Sequence, residues 1–588
     1  MLTRLSLAAR WLTDGRLLAR MDVLRRALPE AWLIARSDLF VTAWYARDGK
    51  VSGGRLALAL HYVLRGAAEG RTPSPHFDGD FYLRRYPELA LAAQNPLAHY
   101  LRHGRHAGYE TASAPLSALT RLPLTAGSLP AWTADMDRTL ATSGRAPLPR
   151  LSVAGVGASG QEDDADYVLL APPGVRLHTH ALRDLRIFLA ATPDLGLVYG
   201  DEASMAPGSV PWFKPDWDHD LFRAGDLTGP ATVFSRALLG RLGWDGAIPD
   251  AAGLRALAER AVASGCHIGH MPRILSYREQ PATFSRVASA LPAPAPLVSV
   301  IIPTRDRARL LAVAASGILQ GTSYDPLELI IVDNGSVENR TRLLLASLAG
   351  DSRVRILQAA GPFNWSALNN EAARSARGDV LLFLNNDVEI RAAGWLTALV
   401  AQAVRPDIGA AGARLLYPDG TIQHAGITID DFGIFRHVMR GAAAGDEALS
   451  GPWSVTRCVA AVTGACLATR RDVFGQMGGF DEASLAVTHN DIDYCLAVRA
   501  AGYRVVETPE AVLVHHEAAS RGGDRSARHV SRMCAERDHL RRRWGGLAET
   551  DPYMNANLCL LRDRPALERP DIVWRRLGPF LGGVVPTR

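Results

Sequence analysis

Three polar clusters stand where apolar runs end in the second half of the chain. Pro303-Thr304-Arg305-Asp306-Arg307 follows residues 297–302, Asp333-Asn334-Gly335-Ser336 follows 329–332, and Asn385-Asn386-Asp387 follows 380–384. These residue types suit a nucleoside diphosphate. Asp333 can accept hydrogen bonds from a base N–H, and Thr304 and Asp306 can line the same pocket. Asp387 is a hard oxygen donor of the kind that holds Mg²⁺ or Mn²⁺ on a diphosphate. Taken singly, an aspartate after a strand more often caps a turn. What singles these out is that three such clusters occur in order.

The elements needed to bring them together are legible in the pattern. Apolar runs at 297–302, 329–332, 354–357 and 380–384 alternate with helical periodicity at 308–320 and 365–376. Such alternation predicts an α/β domain with a mostly parallel sheet and helices on both faces. In sheets of that kind ligands bind beyond the carboxyl ends of the strands. The three clusters are therefore expected on one rim.

Further motifs extend this pattern: VSVIIPTRDR, LIIVDNGS, FNWSALNNEAARSARGDVLLFLNND, LLYPDGTIQHAG, NDIDYCLAVRAAGYRVVETP, VLVHHEAASRG and DPYMNANL. With them, residues 298–520 resemble the family 2 inverting glycosyltransferases of the GT-A fold, particularly the rhamnosyltransferase-like branch of bacterial surface-polysaccharide enzymes. The resemblance implies a role for each matched residue. Asp387 matches the last aspartate of the family's DxD motif, a ligand of the metal and sugar diphosphate, with Asn385 in the place of the first. Asp491 matches the catalytic base, preceded by Asn490 where the family has glutamate. His515 matches the histidine that completes the metal site, and Asp333 the nucleobase-binding aspartate. The expected cofactor is a divalent cation, Mg²⁺ or Mn²⁺, and Asn385 leaves one fewer negative charge to hold it. Arg521, in a Gly-rich stretch, can clamp the diphosphate or be a solvated loop residue. Asn369 and Asn370 read equally well as nucleotide contacts or helix-face hydrogen bonds, and His516 reads as structural.

The expected activity is transfer of a sugar from a UDP- or dTDP-sugar donor, dTDP-rhamnose among the candidates, to a glycan or lipid-linked acceptor hydroxyl in cell-surface polysaccharide synthesis. The alternative is a non-catalytic glycan-binding or scaffold protein that keeps the fold. A nucleotidyltransferase is disfavoured, because no Gly-rich, Lys/Arg-bearing loop follows the first strand.

Upstream, the stretch beginning Asp166-Tyr167-Val168-Leu169-Leu170 echoes Asp379-Val380-Leu381-Leu382-Phe383, and residues 235–245 and 263–272 echo 469–481 and 500–509. Pro172-Pro173-Gly174 stands where Asn385-Asn386-Asp387 would be. A degenerate, non-catalytic copy of the same fold is expected over 116–290, joined by a Pro/Ala linker at 291–296 to a catalytic domain at 297–565, with a tail at 566–588. Before it, Phe40, Trp44-Tyr45 and His61-Tyr62 recur as Phe77, Phe81-Tyr82 and His99-Tyr100, at offsets of 37 and 38. This is a two-unit helical repeat over 37–115. Residues 1–36 read as a basic amphipathic helix that packs on the next domain, the alternative being contact with an anionic membrane surface.

Composition bounds the rest. A formal charge of +5 over 588 residues is too dilute for nucleic acid binding. The six cysteines show no CxxC pair, which fits a reducing, cytoplasmic setting; peripheral contact at the inner membrane face is the alternative that the basic segment leaves open.

Overall fold

The computed structural model describes residues 17–46, 51–86, 89, 94–111, 122–123, 132–134, 136, 149–154, 165–204, 210–279, 282–430, 434–444, 451–516, 527–561, 564–568 and 570–577. The start of the basic segment, most of 116–150, Arg521 and the last part of the tail lie outside them. The chain divides into two compact units, Met1–Leu122 and Pro123–Arg588.

In the first unit, the helix Leu17–Ala35 buries Ala27, Ala31 and Ile34 along one face. The repeat follows as short helices, each ending in a π turn, Tyr62–Gly66 and Tyr100–Gly104. Both units use the same device. Tyr45 Oη lies 2.7 Å from His61 Nδ1, and Tyr82 Oη lies 2.9 Å from His99 Nδ1. Each tyrosine hydroxyl also presses on the glycine closing the π turn, so a Cβ on Gly66 or Gly104 would collide with it. Gly66→Ala or Gly104→Ala should therefore cost about 1–3 kcal/mol by overpacking, seen as a lower unfolding midpoint for this unit.

In the second unit, the runs of apolar residues form the strands of a large mixed sheet: β1 Val298–Thr304, β2 Leu327–Asp333, β3 Val354–Gln358, β4 Val380–Leu384, β5 Val388–Ile390, β6 Ile408–Leu416, β7 Cys466–Arg470 and β8 Arg504–His515. Their order is β3-β2-β1-β4-β7-β6-β8-β5, with Ile422–His424 and Arg457–Cys458 added beside β6 and β8. The first four strands are parallel, β7 runs antiparallel to both neighbours, and β6 and β8 are parallel. Side chains alternate between two cores, as strand geometry requires. Val300 and Ile302 face helices α1 Ala308–Leu319 and α2 Asn339–Leu348, together with Trp395–Ala403. Ile301 and Val332 face α3 Trp365–Ser375 and α4 Asn490–Ala500. The architecture is GT-A-like.

A second sheet precedes it, with strands Leu151–Ala154, Tyr167–Leu170, Arg176–Leu177, Leu197–Ser204, Thr232–Ser235 and Ile268–Arg278. In chain order these correspond to β1, β4, β5, β6, β7 and β8. Their spatial order is the same as that of β1-β4-β7-β6-β8-β5, and every neighbouring pair keeps the same parallel or antiparallel sense. Among the described residues it has no counterpart of β2 and β3, since only residues 155–166 separate its first two strands.

The two sheets are built into one body, and the Pro/Ala stretch 291–296 lies inside it. Asp220 is gripped by Arg405 (2.6 Å) and Arg504, and the Asp218 carboxylate accepts the Cys458 N–H at 2.8 Å. The segment from Asp551 reaches back to the first sheet, where Asn555 and Asn557 donate to the buried Asp201 at 2.8 and 3.1 Å. His270 bridges Asp201 and Asp216 at 3.0 and 3.1 Å. Burial opposes its charge, but the two carboxylates win and raise its pKa to about 9. A folded-state pKa above the unfolded value near 6.5 has a defined sign. The stabilisation is full below about pH 6.5 and is lost as pH rises through about 9. Denaturation midpoints should fall across that window, and His270→Gln should flatten the slope.

Candidate active site

The register of β1 on β2 sets Thr304 beside Asp333. Both are buried, and the loops beyond them are tied together. Asp306, in the left-handed region at φ 57°, accepts N–H groups of Val337 and Glu338, both at 2.8 Å. Its own N–H donates to Ser336 Oγ at 2.8 Å. Asp333 Oδ1 accepts the Ser336 N–H at 2.9 Å. Asp306 and Asp333 thus hold the loops that line an open cleft of about 550 Å³, whose walls include Gly335, Val337, Arg342, Ile356 and Gln358.

Beyond β4 each residue of the second cluster has its own anchor. The Asn385 N–H donates to the Ala465 carbonyl (3.1 Å), and its Oδ1 accepts Trp365 Nε1–H (3.3 Å). Asn386 Nδ2 donates to Thr304 Oγ1 (2.9 Å), joining this cluster to the first. Asp387 is buried, and its Oδ1 accepts from His515 Nε2 at 3.1 Å. Strand pairing explains that contact: β5 starts directly after Asp387 and runs antiparallel to the end of β8, with Val388 opposite His515. The His516 N–H donates to the Asp387 carbonyl at 2.9 Å. His516 itself turns outward to Glu389 (2.9 Å), and with Arg391 it holds the Glu389 carboxyl below its usual range.

Asp491 lies in the first turn of α4. Its carboxylate accepts the Gly464 N–H (2.7 Å) and the Ile492 N–H (2.9 Å). Gly464 precedes Ala465, whose carbonyl holds Asn385, so Asp491 joins the rim that carries Asn385–Asp387. A Cβ on Gly464 would meet the Trp365 ring at 3.0 Å, so the glycine lets Asp491 and the ring approach. Burial raises the Asp491 pKa above the ordinary carboxylate range, against the opposing pull of the Gly464 and Ile492 N–H groups. Such a carboxylate is a better proton acceptor near neutral pH.

Asn369 and Asn370 donate inside the fold, Asn369 Nδ2 to the Trp365 carbonyl (2.8 Å) and Asn370 Nδ2 to the Phe480 carbonyl (2.9 Å), while Asn369 Oδ1 is buried without a hydrogen-bond partner. Sequence reasoning missed Gly464 and Trp365, which meet Asp491 and Asn385. A glycine ahead of a strand was the only signal among them, and it is a weak one.

The upstream sheet lacks this chemistry. Its short strand Arg176–Leu177 pairs with Ser276–Tyr277 as β5 pairs with β8. The shared register puts Gly174 at the position of Asp387 and Arg278 at that of His515. The helix before its last strand, Ala251–Ala263, has no acidic residue in its first turn.

Residues 299–436 match the family described as Glycosyl transferase family 2. This stretch is a family 2 glycosyltransferase domain. The chain is 37% identical over 432 residues to the uncharacterized protein y4gI of Sinorhizobium fredii, covering 65% of this chain and 47% of that one. It is 34% identical over 440 residues to the O-antigen biosynthesis protein RfbC of Myxococcus xanthus, covering 67% of this chain and 34% of that one. It is also 28% identical over 221 residues to the N-acetylglucosaminyl-diphospho-decaprenol L-rhamnosyltransferase of Mycobacterium tuberculosis, covering 34% of this chain and 69% of that one. The chain therefore spans less than half the length of the first two relatives.

Proposed function

We propose that this chain is an inverting glycosyltransferase of surface-polysaccharide synthesis. It takes a sugar from a UDP- or dTDP-sugar, dTDP-rhamnose among them, and passes it to a hydroxyl of a glycan or lipid-linked acceptor. The observation that carries the reading is the joining of the Asp387–His515 pair and Asp491 to one sheet rim through Asn385, Ala465 and Gly464.

In the proposed reaction the acceptor oxygen bonds to the anomeric carbon as the carbon–phosphate oxygen bond breaks on the opposite face. Asp491 takes the hydroxyl proton, and the nucleoside diphosphate leaves. Asp387 and His515 suit a divalent cation: both are buried, both offer hard or borderline donors, and His515 Nδ1 is buried without a hydrogen-bond partner. Such an ion, when bound, neutralises charge on the departing diphosphate. Thr304, Asp333 and Asn385 line the nucleotide side, Asp306 shapes it, and Arg521 is a further diphosphate ligand in this reading.

The names of RfbC and of the mycobacterial rhamnosyltransferase support a polysaccharide pathway and a lipid-linked acceptor. No described helix is long and apolar enough to cross a membrane. For a lipid-linked acceptor at the cytoplasmic face, the exposed Leu28 and Trp32, flanked by Arg25 and Arg36, offer peripheral contact. The test is nucleoside diphosphate release from a panel of UDP-, dTDP- and GDP-sugars, with and without Mn²⁺. Release from one donor class, stimulated by Mn²⁺, is expected; no release from any donor favours a scaffold.

A further inference from the structure

The first turn of α4 begins in an uncommon way. His489, the residue before it, has φ 60° and ψ 2°, a left-handed conformation found in only a few per cent of non-glycine residues. Something outside the turn must hold it there. That hold comes from α5 Ala527–Trp544, which lies beyond the stretch that matches the family.

Glu536 of α5 is buried and accepts from His489 Nδ1–H at 3.0 Å. A carboxylate can only accept, so the contact fixes the proton on Nδ1. Glu536 also takes the hydroxyl of Thr488. Eight residues on, Trp544 Nε1–H donates to Asp493 Oδ1 at 2.7 Å, and Arg543 donates to Oδ2 at 3.0 Å. The residues two before and two after Asp491 are therefore both fastened to one helix. Asn490 Nδ2, between them, donates to Ser366 Oγ of α3 at 3.0 Å. Leu540 and Trp544 pack with Ile492 and Leu496 in the same core, so α5 has a firm seat.

We infer that α5 is part of the catalytic site: Glu536, His489 and Trp544 are positioning residues that hold the Asp491 carboxylate in line with the acceptor hydroxyl. None of them touches substrate. This deepens the proposed transfer reaction and rests on it.

The test compares wild type with His489→Asn, Glu536→Gln and Trp544→Phe in the full chain, using the donor that releases nucleoside diphosphate. His489→Asn keeps a residue that tolerates the left-handed region, so it removes the ring without straining the turn. A displacement of about 1 Å at a reacting group costs up to about 10²-fold. Each variant should lose about 10- to 100-fold in kcat, while KM for the donor and Mn²⁺-dependent affinity for the nucleoside diphosphate stay within about twofold. His489→Asn with Glu536→Gln should be no worse than either alone, because both weaken the same contact, the second by removing its charge. Variants that keep wild-type kcat overturn the inference, as do variants whose donor affinity falls in step with kcat. If Glu536→Gln does not fold, Trp544→Phe and His489→Asn still decide it. An active wild type with unaffected variants removes this inference alone; a wild type that releases nothing removes the transfer reading and this inference with it.

Discussion

Asp491→Asn is expected to leave a folded, nucleotide-binding protein whose turnover is lower by about 10²–10⁴-fold, the range contributed by a positioned proton acceptor. The substitution is conservative where the structure is concerned. The carboxamide oxygen can still accept the Gly464 or Ile492 N–H, so the link between α4 and the loop before β7 survives. What it loses is basicity. Removing a charge that burial already disfavours should not reduce stability, so the unfolding midpoint should hold or rise. Single-turnover kinetics with the preferred donor would give the answer, with circular dichroism as the folding control. Residual kcat above about a tenth of wild type would show that another group takes the proton.

The second large effect is expected at the Asp387–His515 pair. His515→Ala removes one of the two buried donors proposed for the cation and leaves the Asp387 carboxylate without that imidazole. The thermal shift that a nucleoside diphosphate causes with Mn²⁺ present should fall to the value seen without metal. Binding sustained by the Asp333 cleft alone should not change. Because ligand binding stabilises the folded state by mass action, a 100-fold loss of affinity removes about 2.7 kcal/mol at saturating ligand. Asp387→Asn should behave in the same way. A Mn²⁺-dependent shift that survives both substitutions would put the cation elsewhere.

How far the sequence reveals this arrangement depends on the kind of signal. Strands were readable because they are buried on both faces and so written as unbroken apolar runs: β4 covers the same residues, 380–384, that the pattern picks out. The meeting of Thr304 and Asp333 also follows from sequence, since parallel neighbours that end together bring their last residues side by side. By contrast, the contact between Asp387 and His515 depends on β5, only three residues long and too short to leave a periodic trace. The expectation there came from family resemblance. The left-handed turn at His489 was hidden because neither histidine nor its neighbours mark such a position. Its anchor, Glu536, lies 47 residues away. The use of Asp306 to hold two loop amides, in addition to any ligand, was equally invisible, because the same residue type serves both purposes.

The repeated strand order has a consequence for how the protein can change. The upstream copy has glycine and arginine where the downstream copy has its proposed cation donors, so its rim is under no obligation to a nucleotide. Its interior is not free in the same sense. The side-chain amides of Asn555 and Asn557, contributed from near the far end of the chain, complete the bonding of Asp201. Shortening the protein to begin at the downstream copy would strip those amides of their acceptor and expose the surface beneath Asp218 and Asp220. The rim of the upstream half can therefore vary while its interior cannot be discarded: it serves as a keystone for the sheet that follows it.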